Sequence, residues 1–199
     1  AILAIMTGNE EDGVAIQRRA QSLAETTADP THILSITERT ASVFRAVGLL
    51  EEAYATAKQA VDGWEELDEA TWGSLATLGD AASEIGAYEE ADHALARALE
   101  RIEDVSGPDS PNAALVQLSR TDAFNLRQQW DEASRAAEAA ARGLREKPQH
   151  QLWPSLSVSL DRTRLGQGRF EEAIAAFDRA QISAEELWGS QNDVVGVAL

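Results

Sequence analysis

The stretch GAYEEADHALARALE, Gly86 to Glu100, is one of five versions of a single pattern spread along the chain. Aligning the small residue that follows its acidic pair places Gly13, Ala53, Ala91, Ala133 and Ala173 in one column, at intervals of 40, 38, 42 and 40 residues. Seven residues later a second column holds Ala20, Ala60, Ala98, Ala140 and Ala180. Three residues before the first column stand Leu50, Tyr88, Trp130 and Phe170 in the last four copies. Five before it stand Gly8, Gly48, Gly86 and Gly168, with Gln128 as the one substitution. A fixed period makes the repeat the unit of folding, and three or more stacked repeats are needed for stability.

Helical packing explains the columns. A glycine ends one helix by taking the left-handed conformation, and two or three residues later an acidic pair opens the next, complementing the positive end of its dipole. Alanines seven apart lie two turns apart on one face, and their small size lets a neighbouring helix approach closely. Between them sits a filler of variable size, Ala57, Leu95, Ala137 and Phe177, as a packed core requires. The fold predicted is therefore all-α, an α-solenoid of about five helix-turn-helix repeats of about 40 residues. The repeats span approximately 1–29, 30–69, 70–108, 109–149 and 150–190 in a single domain over 1–199, with a further helix starting in 191–199.

First helices are predicted near 31–47, 70–85, 111–127 and 153–167, and second helices near 50–67, 88–105, 130–146 and 170–187. Residues 1–7 read as the tail of an earlier helix, followed by a second helix from Gly13 to about Ala28, after which Asp29-Pro30 breaks the chain. Ser110-Pro111 is a cap followed by proline at the first helical position, and Trp153-Pro154 repeats the proline signal. Thr31 and Thr71 are the expected caps of the other two first helices, while Gly107-Pro108 and Gly189 close second helices. Both ends fall inside repeats and neither supplies a polar terminal unit, so the expectation is a fragment of a longer array or larger protein.

The chain carries 34 acidic and 17 basic residues, net −17, and at 44% apolar it has enough hydrophobic content to fold. Residues 1–100 hold 19 acids and 6 bases, whereas 101–199 hold 15 and 11, so the excess lies in the first half. Such a field disfavours nucleic acid and anionic membrane as partners and favours basic peptides, although solvated helix faces account for most of these charges. Absence of cysteine removes disulfide and thiolate chemistry and suits a reducing compartment, so a cytoplasmic location is expected. No apolar run approaches the ~20 residues of a membrane span.

These residues resemble a tetratricopeptide repeat array. Leu78-Gly79 matches the Leu-Gly pair of its first helix. Gly48, Gly86, Gly168, Tyr88, Trp130, Phe170, Phe177 and the alanine columns match the turn and second helix. The usual repeat has 34 residues; the longer period here, together with GPDSPNAAL between repeats, is similar to the kinesin-light-chain type, with Asp109-Ser110-Pro111 at the linking turn. The resemblance implies a right-handed α-solenoid, a non-catalytic protein-protein interaction scaffold that binds a peptide or partner protein in its concave groove and needs no cofactor. Two alternatives stay open: a sensor or regulatory segment of a larger bacterial signalling enzyme, a kinase or nucleotide-binding switch, and an oligomerisation element that self-associates through its repeat ends. An excess of Arg over Lys, 15 to 2, hints at a bacterial source.

Chemistry finds little purchase in the residues themselves. The pairs Glu51-Glu52, Glu89-Glu90, Asp131-Glu132 and Glu171-Glu172 occupy one repeat position, where the helix dipole favours them. A repeated motif also lacks the two environments that acid-base catalysis needs. His32, His93 and His150 are too far apart in sequence for helical metal-ligand spacing and read as surface or loop residues. Gly166-Gln167-Gly168 occupies the turn position and lacks the Lys-Ser/Thr of a phosphate loop. Of the five tryptophans, Trp130 is expected in the core, while Trp64 and Trp188 late in second helices are expected to pack with Trp72 and Trp153 where repeats meet. Carrying the family's groove positions over column by column selects Glu38, Ser42, Arg45, Thr77, Asp80 and Glu84, then Ser119, Asp122, Asn125, Ser159 and Arg162. The resulting surface, with acids between arginines, suits a peptide carrying a central basic residue.

Overall fold

The computed structural model describes residues 10–24, 26, 29–69, 71–147 and 150–172. Among these residues all regular structure is helical: α1 (Glu10–Ala24), α2 (Pro30–Ala46), α3 (Leu50–Glu66), α4 (Trp72–Glu84), α5 (Tyr88–Ser106), α6 (Pro111–Leu126), α7 (Trp130–Leu144) and α8 (Leu152–Gly166). The predicted first helices correspond to α2, α4, α6 and α8, and the second helices to α3, α5 and α7, with ends within about two residues. α1 spans Glu10–Ala24 among the described residues, so it includes Gly13 and stops short of the predicted Ala28. The expectations for residues 1–7, Ala173, Phe177, Ala180, Trp188, Gly189 and the helix from Val194 lie outside the described residues.

Four turns between first and second helices share one construction. Gly48, Gly86 and Gly168 have φ of 77, 83 and 75°, and Gln128 at the same place has φ of 58°. In each turn the next amide returns to the carbonyl five residues back: Leu49 to Phe44 at 2.9 Å, Ala87 to Ala82 at 2.8 Å, Gln129 to Phe124 at 2.9 Å and Arg169 to Arg164 at 2.9 Å. This is the hydrogen bond that closes a helix on a left-handed residue. Gln128 adopts that conformation against its Cβ, so Gln128→Gly is expected to stabilise the chain by about 1 kcal/mol, read as a higher urea midpoint at unchanged slope.

Caps follow side-chain chemistry, with two corrections. Ser110 caps α6 by accepting the Ala113 amide at 3.2 Å, and Thr71 caps α4 in a reciprocal box with Ser74. The cap of α2 is Asp29, not Thr31: its carboxylate accepts the Thr31 N–H at 3.0 Å and hydroxyl at 2.7 Å, and Pro30 takes the first helical position. Asp29-Pro30 is thus the same start signal as Ser110-Pro111. At α8 the helix begins at Leu152, so Pro154 is buried in the third helical position rather than opening the helix. His150 Nδ1 instead accepts the Leu152 amide at 3.3 Å.

The helices form two compact units that divide between Ala98 and Leu99, inside α5. In the first unit α1 packs on α2, α2 on α3 and α4, and α3 on α4; in the second, α6, α7 and α8 pack on one another. The alanine columns lie in the core: Ala53, Ala91, Ala98 and Ala133 are 0% exposed, and the fillers Ala57, Leu95 and Ala137 are 1% exposed. The second unit's core gathers Ala114, Leu118, Ala137, Ala140, Leu144 and Leu156, with Trp153 packed against it and donating its indole N–H to Lys147 O at 2.9 Å. Trp64 is buried and Trp72 half-buried. Trp130 is not a core residue: it is half-buried, its ring covering Gly166 so closely that a Cβ there would lie 2.5 Å from it.

Candidate functional site

Each unit places its candidate residues on first helices, and bonds between successive first helices hold some of them together. In the first unit Arg45 of α2 reaches α4, where its guanidinium lies 3.0 Å from Glu84 Oε1 and 3.5 Å from Asp80 Oδ2. Burial is the main cause that raises the Glu84 carboxyl above its ordinary value; Arg45 opposes the shift and Asp80 reinforces it. Glu84 Oε2 is buried without a hydrogen bond. Ser42 and Thr77 turn back onto their own helices, donating to Glu38 O at 3.4 Å and Gly73 O at 3.0 Å. The carboxylates of Glu38, Asp80 and Glu84 therefore stand near Arg45 and, at Glu38, near Arg39.

Glu38 is half-buried, and burial raises its carboxyl also. The buried Trp64 indole N–H makes no hydrogen bond of ordinary geometry, yet it bears on Glu38 and opposes the shift, as does Arg39. A carboxyl raised on folding binds its proton more tightly in the folded chain. Stability is thus lost as pH rises from the ordinary value of 4.5 through the folded value. Glu38→Gln is expected to raise the melting temperature at pH 7, with the gain disappearing below pH ~4, where wild type is itself protonated.

In the second unit Asp122, Asn125 and Ser159 meet between α6 and α8. Ser159 donates to Asp122 Oδ1 at 2.6 Å, and Asn125 donates to Ser159 O at 2.9 Å and accepts from the Thr163 hydroxyl at 2.8 Å. Asn125 and Ser159 are buried, at 4% and 6% exposure, whereas Ser119 and Asp122 are half-buried and Arg162 is exposed. Asn125 and Ser159 thus sit between helices, where a satisfied polar network fixes their register.

A second set of bonds, between second helices, is not legible from the columns. Glu90 of α5 accepts from both Tyr54 and Lys58 of α3, and Glu65 pairs with Arg97. Lys58 first, then Tyr54, hold the Glu90 carboxyl below its ordinary value, while Glu90 raises the Tyr54 phenol. The available signal is spacing: Tyr54 and Lys58 lie one helical turn apart, facing the acidic pair of the next repeat. His32 and His93 are exposed and His150 is half-buried in a loop. Among the described residues no three His, Cys, Asp or Glu side chains come together as a metal site, and no helix is long and apolar enough to cross a membrane.

No family profile matches the chain, and no curated protein matches it in sequence. Solved structures do match in fold. BtubC (BKLC) from P. vanneervenii is 19% identical with a TM-score of 0.71, covering 94% of this chain and 78% of that one. The nearly identical TPR-like repeats from Podosopora anserina, described as putative kinesin light chain, are 16% identical with a TM-score of 0.65, covering 93% and 92%. A thermophilic TPR protein of Thermus thermophilus, TTC0263, is 20% identical with a TM-score of 0.63, covering 99% and 92%. The chain therefore has the all-α helical-repeat fold of tetratricopeptide-like proteins, similar to kinesin-light-chain repeats. Folds of this class generally serve as protein-interaction scaffolds.

Proposed function

We propose that the chain is a non-catalytic interaction module, working in the cytoplasm, whose first-helix faces bind an extended partner peptide carrying a basic residue. The observation that supports this is the first unit's polar face, where Glu38, Asp80 and Glu84 gather around Arg45, with Arg39 beside Glu38, and two of the carboxyls are raised by burial. A lysine or arginine supplied by a partner can pair with these carboxylates through charge-assisted hydrogen bonds. Because the face is already held by bonds between helices, a flexible ligand loses conformational entropy while the receptor loses little. Asp122, half-buried on α6 and accepting from Ser159, is a candidate carboxylate of the second unit for the same purpose.

Affinity capture with the whole native protein, followed by mass spectrometry of bound material, identifies the partner. The double variant Asp80→Lys with Asp122→Lys is then expected to weaken binding at least tenfold, whereas Glu100→Lys with Glu103→Lys, on the exposed side of α5, leaves it unchanged. Undiminished binding by the first variant removes the first-helix faces from consideration.

A further inference from the structure

Between α6 and α7 in the second unit lies a hollow of about 290 Å³, lined by Gln117, Arg120 and Phe124 on one side and by Glu132, Arg135 and Ala136 on the other. Arg120 is half-buried, its guanidinium 5.6 Å from the centroid of the Phe124 ring, and Arg127 lies 4.9 Å from the same ring. Arg135 reaches Glu132 at 3.1 Å on the α7 side. Arg45, Arg97, Arg142, Arg164 and Arg169 likewise reach carboxylates. Arg120 has an aromatic ring in that place, as Arg18 has the Phe44 ring at 5.7 Å in the first unit, although the chain holds two acids for every base.

A guanidinium taken partly out of water is stabilised by a ring quadrupole, but less than by the two parallel hydrogen bonds of a carboxylate. The hollow offers such a ligand the Arg120 guanidinium, the Gln117 amide as a further donor, and apolar surface from Phe124 and Ala136, with Arg135 on the opposite wall beside the Glu132 it pairs with. We propose that it is a carboxylate-binding subsite, taking an acidic side chain or a chain-terminal carboxylate of a peptide. It is distinct from the first-helix face, since Arg120 and Gln117 flank Ser119 on the adjoining side of α6. The net charge of the whole chain does not forbid an anion here. At physiological salt, charges beyond about 8 Å are largely screened, and the acidic excess is concentrated in residues 1–100.

The test follows the side-chain Nε–H resonances of Arg120 and Arg135 in the full 199-residue chain. Three probes are titrated: acetyl-aspartate N-methylamide, acetyl-alanine with its free carboxylate, and acetyl-asparagine N-methylamide. The expected result is a shift with at least one carboxylate at millimolar affinity and none with the asparagine derivative. Preference for the aspartate probe identifies an acidic side chain as the source; preference for acetyl-alanine identifies a chain terminus. Arg120→Gln should weaken binding at least tenfold and Arg142→Gln, outside the hollow, should not. Silence with both carboxylates, an equal response to the amide, or undiminished binding by Arg120→Gln overturns the proposal. Should Arg120→Gln fail to fold, Arg120→Lys takes its place: it keeps the charge but loses the planar fork, so severalfold weaker binding is expected and equal binding overturns the subsite.

Discussion

Gly143→Val is expected to cost about 3 kcal/mol or more, because the added side chain meets backbone rather than a movable side chain. A Cβ at Gly143 would lie 2.7 Å from the Ser110 carbonyl oxygen and 3.1 Å from Ala114 Cβ. Ser110 is the cap of α6: its hydroxyl accepts the Ala113 amide and its carbonyl accepts the Ala114 amide at 2.9 Å. Moving that carbonyl therefore disturbs the first turn of α6 as well as its packing on α7. Glycine inside a helix is otherwise unfavourable by up to about 1 kcal/mol relative to alanine, and here the close approach of α6 accounts for it. Gly73→Ala is the contrasting case, since its nearest neighbours would be Glu38 Oε1 at 3.5 Å and Thr71 Oγ1 at 3.6 Å, ordinary contacts. It is expected to be neutral or to stabilise by about a few tenths of a kcal/mol. Urea denaturation of both variants checks the pair; an unchanged midpoint for Gly143→Val would mean that α6 and α7 do not approach as closely as the Gly143–Ser110 contact requires.

Why the columns are legible and the close approaches are not follows from what a periodic sequence encodes. Ala53, Ala91 and Ala133 recur because each buries the same face against the same kind of neighbour, so repetition alone marks them as contact positions. The turns are legible for a similar reason, and Gln128 shows the limit: the position demands a left-handed residue whatever occupies it. Asp29 reads as a break because aspartate before proline both stops one segment and starts the next; only the Thr31 bonds decide which. Cross-helix polar pairs such as Tyr54 with Glu90, or Asn125 with Thr163, depend on the rotation and separation of two helices, which no single stretch specifies. The same holds for the candidate face. Columns select which residues of α2 and α4 stand in line, but not that Arg45 spans to Asp80 and Glu84.

Gly79 and Leu95 provide the sharpest test of packing in the first unit, because each is expected to be costly to change and the two costs are expected not to add. A Cβ at Gly79 would lie 2.5 Å from Leu95 Cγ and 2.7 Å from Cδ2, so Leu95, 1% exposed, must shift within the core to admit it. Gly79→Ala is expected to cost about 2 kcal/mol by overpacking, after the small gain in helix propensity is offset. Leu95→Ala is expected to cost about 3 kcal/mol through lost transfer energy and a residual cavity. In the double variant the clash is gone and the new methyl occupies part of that cavity. Its total cost should therefore lie near that of Leu95→Ala alone, a coupling of about 2 kcal/mol where independent sites agree within about 0.5 kcal/mol. Urea denaturation of the four proteins measures the cycle. Additive costs would mean that Leu95 is not seated on Gly79, and the pairing of the glycine in α4 with the filler position in α5 would lose its physical basis.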